Sequence, residues 1–241
     1  MVDYLISTSI VPFVGLASHL SHIEVMSSII LVGNPVSTFT RTIALGLHEK
    51  GLDFVQQPEL PHSEGAKTHH PLGFIPSFSH NGFWLFESVA IANYIEEAFQ
   101  DKSKLRPERE NVQANAILNR WISFISQFVF NRVEHGVVKP RLSLQNEGKS
   151  ENDIKDSIKQ GVEEMEEVLR IVEDMLDEAG PYVMGNTLTW ADLFLIPPLS
   201  DLAVIPEGND GDYPKLSAWY KRIIERESFK KTFEGTLASK L

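Results

Sequence analysis

The chain has 241 residues, enough for one large domain or two small ones, and its 42% hydrophobic and 23% charged residues are ordinary for a globular protein. A formal net charge of −11 repels phosphate backbones, which argues against a nucleic-acid partner, and no uninterrupted apolar run reaches the length of about twenty residues that would span a bilayer. Cysteine is absent, so disulfides, thiolate metal sites and a cysteine nucleophile are excluded, and any thiol chemistry must use a thiol that a ligand brings.

Residues 1–27 contain the apolar stretch Val11 to Leu16 but lack the basic start of a signal peptide. They are expected to form a poorly ordered N-terminal extension. The run Ile29 to Val32, closed by Gly33, reads as a buried strand. Asn34 to Ser37 is a turn, and a helix is predicted from Thr38 to about Lys50. Ile43, Ala44 and Leu47 recur at helical spacing there, and Gly51 stands where a C-cap glycine belongs. Phe54-Val55 starts a second strand. Residues 58–72 are loop with room for a short helix.

Asn81-Gly82 between Ser77–His80 and Phe83–Phe86 is the clearest local signal, because a type I′ hairpin turn needs two positive φ angles. A helix follows, with Val89, Ala90, Ile91, Tyr94 and Ile95 on or near one face. A strand–helix–strand unit followed by a hairpin gives a small mixed sheet covered by helices. Residues 100–110 are charged, contain Pro107 and read as a linker.

Beyond the linker the pattern is helical. Ile154, Ile158, Val162, Met165, Val168, Leu169, Val172, Met175 and Leu176 form one amphipathic stripe, expected to end at Gly180-Pro181. Thr189-Trp190-Ala191-Asp192 is a capping box with Leu188 and Leu193 as its staple. Its loss alone is expected to cost roughly 0.5–2 kcal/mol. The histidines do not form a set with metal-ligand spacing, since His69 and His70 are adjacent and His62 lies in a loop, so no metal centre is expected.

These motifs, in this order, resemble the cytosolic glutathione S-transferases over residues 28–236. Gly33 to Arg41 together with His48 to Phe54 is most similar to the phi class and related fungal and bacterial enzymes of the serine type. Asn186 to Asp192 matches the signature of the family's helical domain. The resemblance implies an α+β and all-α two-domain fold. Residues 28–104 would form a thioredoxin-like domain with a mixed four-stranded sheet, and residues 105–241 an all-helical C-terminal bundle.

It also implies a cytoplasmic homodimer that uses glutathione as cosubstrate, with no other cofactor and no metal, and conjugates it to hydrophobic electrophiles. Reduction of hydroperoxides by the same thiolate is a further implied activity. The alternative is a non-catalytic protein on the same fold that binds glutathione or hydrophobic ligands.

By that resemblance Ser37 is the catalytic residue, with Thr38 as the nearest competitor. Its hydroxyl would donate to the glutathione thiolate at the start of a helix, where free N–H groups also favour negative charge. Pro76 matches the family's cis-proline and would present the Ile75 backbone to the peptide. Glu87 and Ser88 match the pair that holds the γ-glutamyl end. Phe74 stands where relatives often carry Gln or Lys. His62 and Lys67 are the candidates near the glycine carboxylate. The electrophile would lie against Val36, Phe39, Phe124 and Phe128, the last two on the first long helix of the second domain.

Overall fold

The computed structural model describes residues 28–176, 180–209 and 212–240. The expected disorder of residues 1–27 concerns residues outside that set. Strand β1 (Ile29–Val32) lies in the middle of a four-stranded sheet of order β2-β1-β3-β4. It pairs in parallel with β2 (Val55–Gln57), Ile30 opposite Val55, and antiparallel with β3 (Ser77–His80), Ile30 opposite Ser79. β3 turns through Asn81 (φ 52°) and Gly82 (φ 84°) into β4 (Phe83–Phe86), the two positive angles that the Asn-Gly pair predicts.

Helices α1 (Thr38–Glu49), α2 (Glu64–His69) and α3 (Ser88–Ala98) complete this half. On α3 the buried apolar face is Ile91, Ala92 and Ile95; Val89, assigned to that face from its spacing, is exposed.

The second half is helical. α4 (Val112–Phe124) runs on through two π-helical stretches, Ile125–Val129 and Asn131–Val138, into α5 (Lys139–Asn146). α6 (Glu151–Met175) carries the long stripe and ends at Met175, five residues before the expected Gly180 stop. α7 (Trp190–Leu202), α8 (Pro214–Ile223) and α9 (Glu227–Lys231) follow. α7 is buried along its whole length and packs on α1.

Gly46 of α1 permits that approach, since a Cβ there would lie 2.0 Å from the Trp190 ring. The Trp190 indole donates to Glu96 Oε1 at 3.0 Å, and the same oxygen accepts from Lys50 Nζ at 3.1 Å. Both charged groups are buried, so the pair and the indole satisfy one another where water is excluded. This joint fixes the angle between the sheet half and the helical half, and therefore the shape of the cleft between them.

Asp192 does more than close a capping box. Its Oδ2 accepts from the Thr189 N–H at 2.8 Å and hydroxyl at 3.2 Å. Its Oδ1 accepts from the Val183 N–H and from Trp219 Nε1, each at 2.8 Å.

Candidate functional site

A cavity of about 650 Å³ opens between the two halves, in the range of small-molecule sites. One wall comes from the β1–α1 turn, with Asn34, Val36, Ser37, Thr38 and Phe39. A second comes from the segment before β3 and the start of α3, with Phe74, Ile75, Pro76, Glu87, Ser88 and Val89. The third comes from the π-helical region, with Ser126, Phe130, Glu134, His135 and Lys139. The structure thus brings together eight of the eleven site residues singled out from sequence.

Ser37 is the N-cap of α1, with extended backbone (φ −72°, ψ 121°), and its Oγ accepts from the Thr40 N–H at 3.3 Å. A serine hydroxyl has one proton and two lone pairs, so capping leaves the proton available. Among the described residues Ser37 Oγ donates to no group, and no bond is made by the N–H groups of Thr38 and Phe39. An anion placed there would meet a hydroxyl donor, two free amides and the positive end of a helix.

The Ile75–Pro76 peptide is cis, and the Ile75 N–H and C=O have no partner among the described residues. An extended peptide could pair with them as an added strand. Glu87 is a non-glycine residue at φ 70°, an arrangement that costs of order 1–3 kcal/mol and typically survives where it sets up a site. It turns the chain so that Ser88 opens α3 beside the cavity, with the Glu87 carboxylate exposed at the rim.

Two expectations need correction. His62 does not line the cavity; it is exposed, and its Nδ1 is bonded to the Leu72 carbonyl at 3.1 Å. The histidine in the wall is His70, which is buried. Its Nδ1 accepts from the Leu72 N–H at 3.1 Å, which puts the proton of the neutral ring on Nε2, 3.6 Å from Glu87 Oε1. Lys67 is taken up by Glu64 at 2.9 Å.

Phe124 and Phe128 also fall outside the cavity. They pack on each other at 5.4 Å, and Phe128 is half exposed. Beyond Phe124 the helix is wound with i→i+5 bonds, as in Phe130 N–H to the Ile125 carbonyl. One face therefore recurs every four to five positions, and Ser126, Phe130, Glu134 and Lys139 reach the cavity instead. Phe130 meets the Phe39 ring at 4.5 Å.

Phe130→Ala is expected to lower kcat/KM for an apolar electrophile about tenfold, from the lost burial of the ring. Phe128→Ala should stay within twofold of wild type. Equal losses in both would contradict this assignment of the wall.

Sequence reasoning also missed a buried polar cluster under the cavity. Arg41, held at 3.1 Å from Ser200 Oγ and stacked 4.3 Å from the Phe229 ring centroid, has its pKa pushed down to about 10 by burial. Burial, and then the charge of Asp201, holds the Glu134 carboxyl above its ordinary 4.5. The bond between these two acids favours the neutral form of Glu134 and the ionised form of Asp201.

The folded chain thus keeps a proton on Glu134 that the unfolded chain releases above about pH 4.5, so this group makes stability fall as pH rises from there until the folded carboxyl ionises. Glu134→Gln removes that loss. Its melting temperature relative to wild type is expected to climb from about pH 5 to about pH 8, by about 2–4 °C per kcal/mol recovered. A difference that stays flat across that range would contradict it.

With the cleft described, comparison with known proteins is decisive. The family model for the glutathione S-transferase N-terminal domain matches residues 36–98, and that for the C-terminal domain matches residues 155–222. Glutathione S-transferase F7 of Arabidopsis thaliana is 30% identical over 219 residues, which span 86% of this chain and 99% of that protein. The chain belongs to the glutathione S-transferase family.

A second relative in Arabidopsis thaliana, glutathione S-transferase F13, is 28% identical over 85% of this chain and 94% of its own length. The crystal structure of glutathione transferase F7 from Populus trichocarpa superposes with a TM-score of 0.74 at 29% identity, covering 86% of this chain and 98% of that one. The thioredoxin-like half and the helical half expected from sequence are those of this family.

Proposed function

We propose that this family member is an active glutathione transferase of the serine type, in which Ser37 stabilises the thiolate of bound glutathione for attack on hydrophobic electrophiles. The observation that carries this reading is the unspent Ser37 proton at the start of α1, in the same cavity as the cis Ile75–Pro76 peptide and the start of α3. The peptide's γ-glutamyl end lies against Ser88 and Glu87, its backbone pairs with Ile75, and its sulfur faces Ser37. Phe74 contributes an apolar surface in place of a side-chain hydrogen bond, and the ring of His62 supports it from behind at 5.1 Å.

Val36, Phe39 and Phe130 form the wall against which an apolar electrophile packs. Catalysis then rests on a hydrogen bond that strengthens as charge collects on sulfur and on holding the two reactants together. The same thiolate displaces alkoxide from an organic hydroperoxide, giving a sulfenic acid that a second glutathione converts to the disulfide and water.

A cytoplasmic homodimer is part of this proposal. It is supported by the apolar residues left exposed on β4 (Phe83, Trp84, Phe86) and on the outer face of α4 and its extension (Ile117, Phe128).

The test is turnover of glutathione with chlorodinitrobenzene and with cumene hydroperoxide. Conjugation well above the uncatalysed rate is expected. Tight glutathione binding with no turnover of either would leave the non-catalytic reading in its place.

A further inference from the structure

Lys139 is a cation in the cavity wall that the conjugation chemistry above leaves unused. It is the first residue of α5, its side chain is exposed, and it lines the cavity. Its Nζ lies 5.2 Å from the centroid of the Phe130 ring, and that ring lies 4.5 Å from Phe39. Two aromatic steps therefore connect the turn that carries Ser37 to an ammonium group on the far side of the cleft. The walls between them are predominantly apolar.

The charges around Lys139 do not cancel it. No carboxylate among the described residues approaches its Nζ within 4 Å, although the chain carries a net charge of −11. Glu134 of the second π-helical stretch and Asp201 of α7 are the acids that feel its charge. Asp201 faces Arg41 of α1, which answers its charge, and Glu134 is held neutral by burial. His135 is an exposed cavity residue whose pKa burial and Lys139 both lower, which disfavours a second positive charge beside Lys139. Tyr220 of α8, near Arg41 and Asp201, is likewise neutral, its pKa raised by burial. Glu87, across the cavity, is assigned to the γ-glutamyl end of glutathione. A cation beside an aromatic face, with an apolar wall and no carboxylate paired to it among the described residues, is complementary to an amphipathic anion.

We propose that Lys139 selects electrophiles that carry an anionic group, a carboxylate in the first instance, at the far end of an apolar body. The inference rests on the transferase reading and adds a substrate class to it. The reacting carbon lies by Ser37, the apolar body spans Phe39 and Phe130, and the carboxylate reaches the Lys139 ammonium. Being at the cleft rather than deep inside, this pairing acts through a partly screened charge and weakens with salt.

The probes are ethacrynic acid, an aryl enone with a carboxylate, and its methyl ester. In both, the thiolate forms a C–S bond at the terminal alkene carbon, the π electrons move to the carbonyl oxygen, and water supplies the proton that completes the adduct. Only the remote charge differs. Wild type and Lys139→Gln are compared by kcat/KM after subtraction of the uncatalysed rate, at low and at physiological salt.

The expected result is an acid-to-ester ratio of at least ten in wild type at low salt, falling as salt rises and collapsing to about one in Lys139→Gln. The glutathione KM is expected to change less than twofold in the variant. A wild-type ratio near one overturns the proposal. So does a ratio that survives the substitution, or a large rise in glutathione KM with the ratio intact, which would assign Lys139 to the peptide's glycine carboxylate. If wild type turns over chlorodinitrobenzene but neither enone, the proposal also fails while the transferase reading stands. If it turns over none of the three, the transferase reading itself is lost.

Discussion

Replacing Ser37 with alanine is expected to lower kcat/KM for glutathione conjugation by about 10- to 100-fold while glutathione still binds. The magnitude follows from the bond removed. A hydrogen bond to a charged acceptor is worth about 1.5–3 kcal/mol, and one pKa unit corresponds to about 1.4 kcal/mol. Losing it returns the bound thiol roughly one to two units toward its free value, and the thiolate is the nucleophile.

The variant also loses the cap to Thr40. That bond is long, at 3.3 Å, so the structural part of the effect should be at the low end of the about 0.5–2 kcal/mol range for such caps. Thr38, buried in the cavity wall, gives a control. If Thr38→Ala costs the rate and Ser37→Ala does not, the roles are exchanged and the serine assignment fails. Neither change touches Ile75 or Ser88, the residues proposed to grip the peptide, so the loss should appear in kcat more than in glutathione KM.

Asp192→Ala should be the most destabilising single change considered, at on the order of 4 kcal/mol, which for a chain of this size lowers the melting temperature by roughly 10 °C. The carboxylate is fully buried and each oxygen accepts two bonds. Removing it leaves the Thr189 and Val183 N–H groups and the Trp219 indole without an acceptor, and each buried donor so stranded costs about 1–3 kcal/mol.

A capping box alone would be worth roughly 0.5–2 kcal/mol. The difference between the two figures is the content of the prediction, because it measures the ties to Val183 and to α8 rather than the helix start. Thermal or urea unfolding decides it. A loss below about 2 kcal/mol would reduce Asp192 to an ordinary cap.

Sequence and structure agree best where a short stretch of chain determines its own geometry. Asn81-Gly82 demands its turn whatever surrounds it, and β1 is apolar and continuous because both faces are covered. The residues assigned to the peptide ligand sit at element junctions. Ser37 precedes a helix, Pro76 precedes a strand, and Glu87-Ser88 joins a hairpin to a helix, so their positions follow from element order alone.

What could not be read depends on contacts between distant segments. Phe124 and Phe128 are at the right spacing for an ordinary helix, but the π winding after Phe124 rotates the wall so that Phe130, Glu134 and Lys139 face inward. Nothing in the residue types announces that winding. His70 rather than His62 lines the cavity because α2 packs on β4 and buries it, a contact that no local spacing announces. The Asp192 hub gathers partners from residues 183 to 219, and the Glu134–Asp201 pair joins two helices that are sixty-odd residues apart in sequence.

The helical half thus supplies the far wall of the cleft, while the sheet half supplies the residues proposed to hold the peptide. The Trp190–Glu96–Lys50 joint ties the two together, so packing in the helical half can bear on the distance between Ser37 and the electrophile wall.

The most direct test of the central claim is the ultraviolet difference spectrum of bound glutathione, titrated with pH in wild type and in Ser37→Ala. A thiolate band with an apparent pKa one to two units below the free thiol value of about 8.5 is expected in wild type, displaced upward by at least about one unit in the variant with binding retained. Bound glutathione that titrates at the same pH in both proteins would contradict the assignment of Ser37 as the residue that stabilises the thiolate.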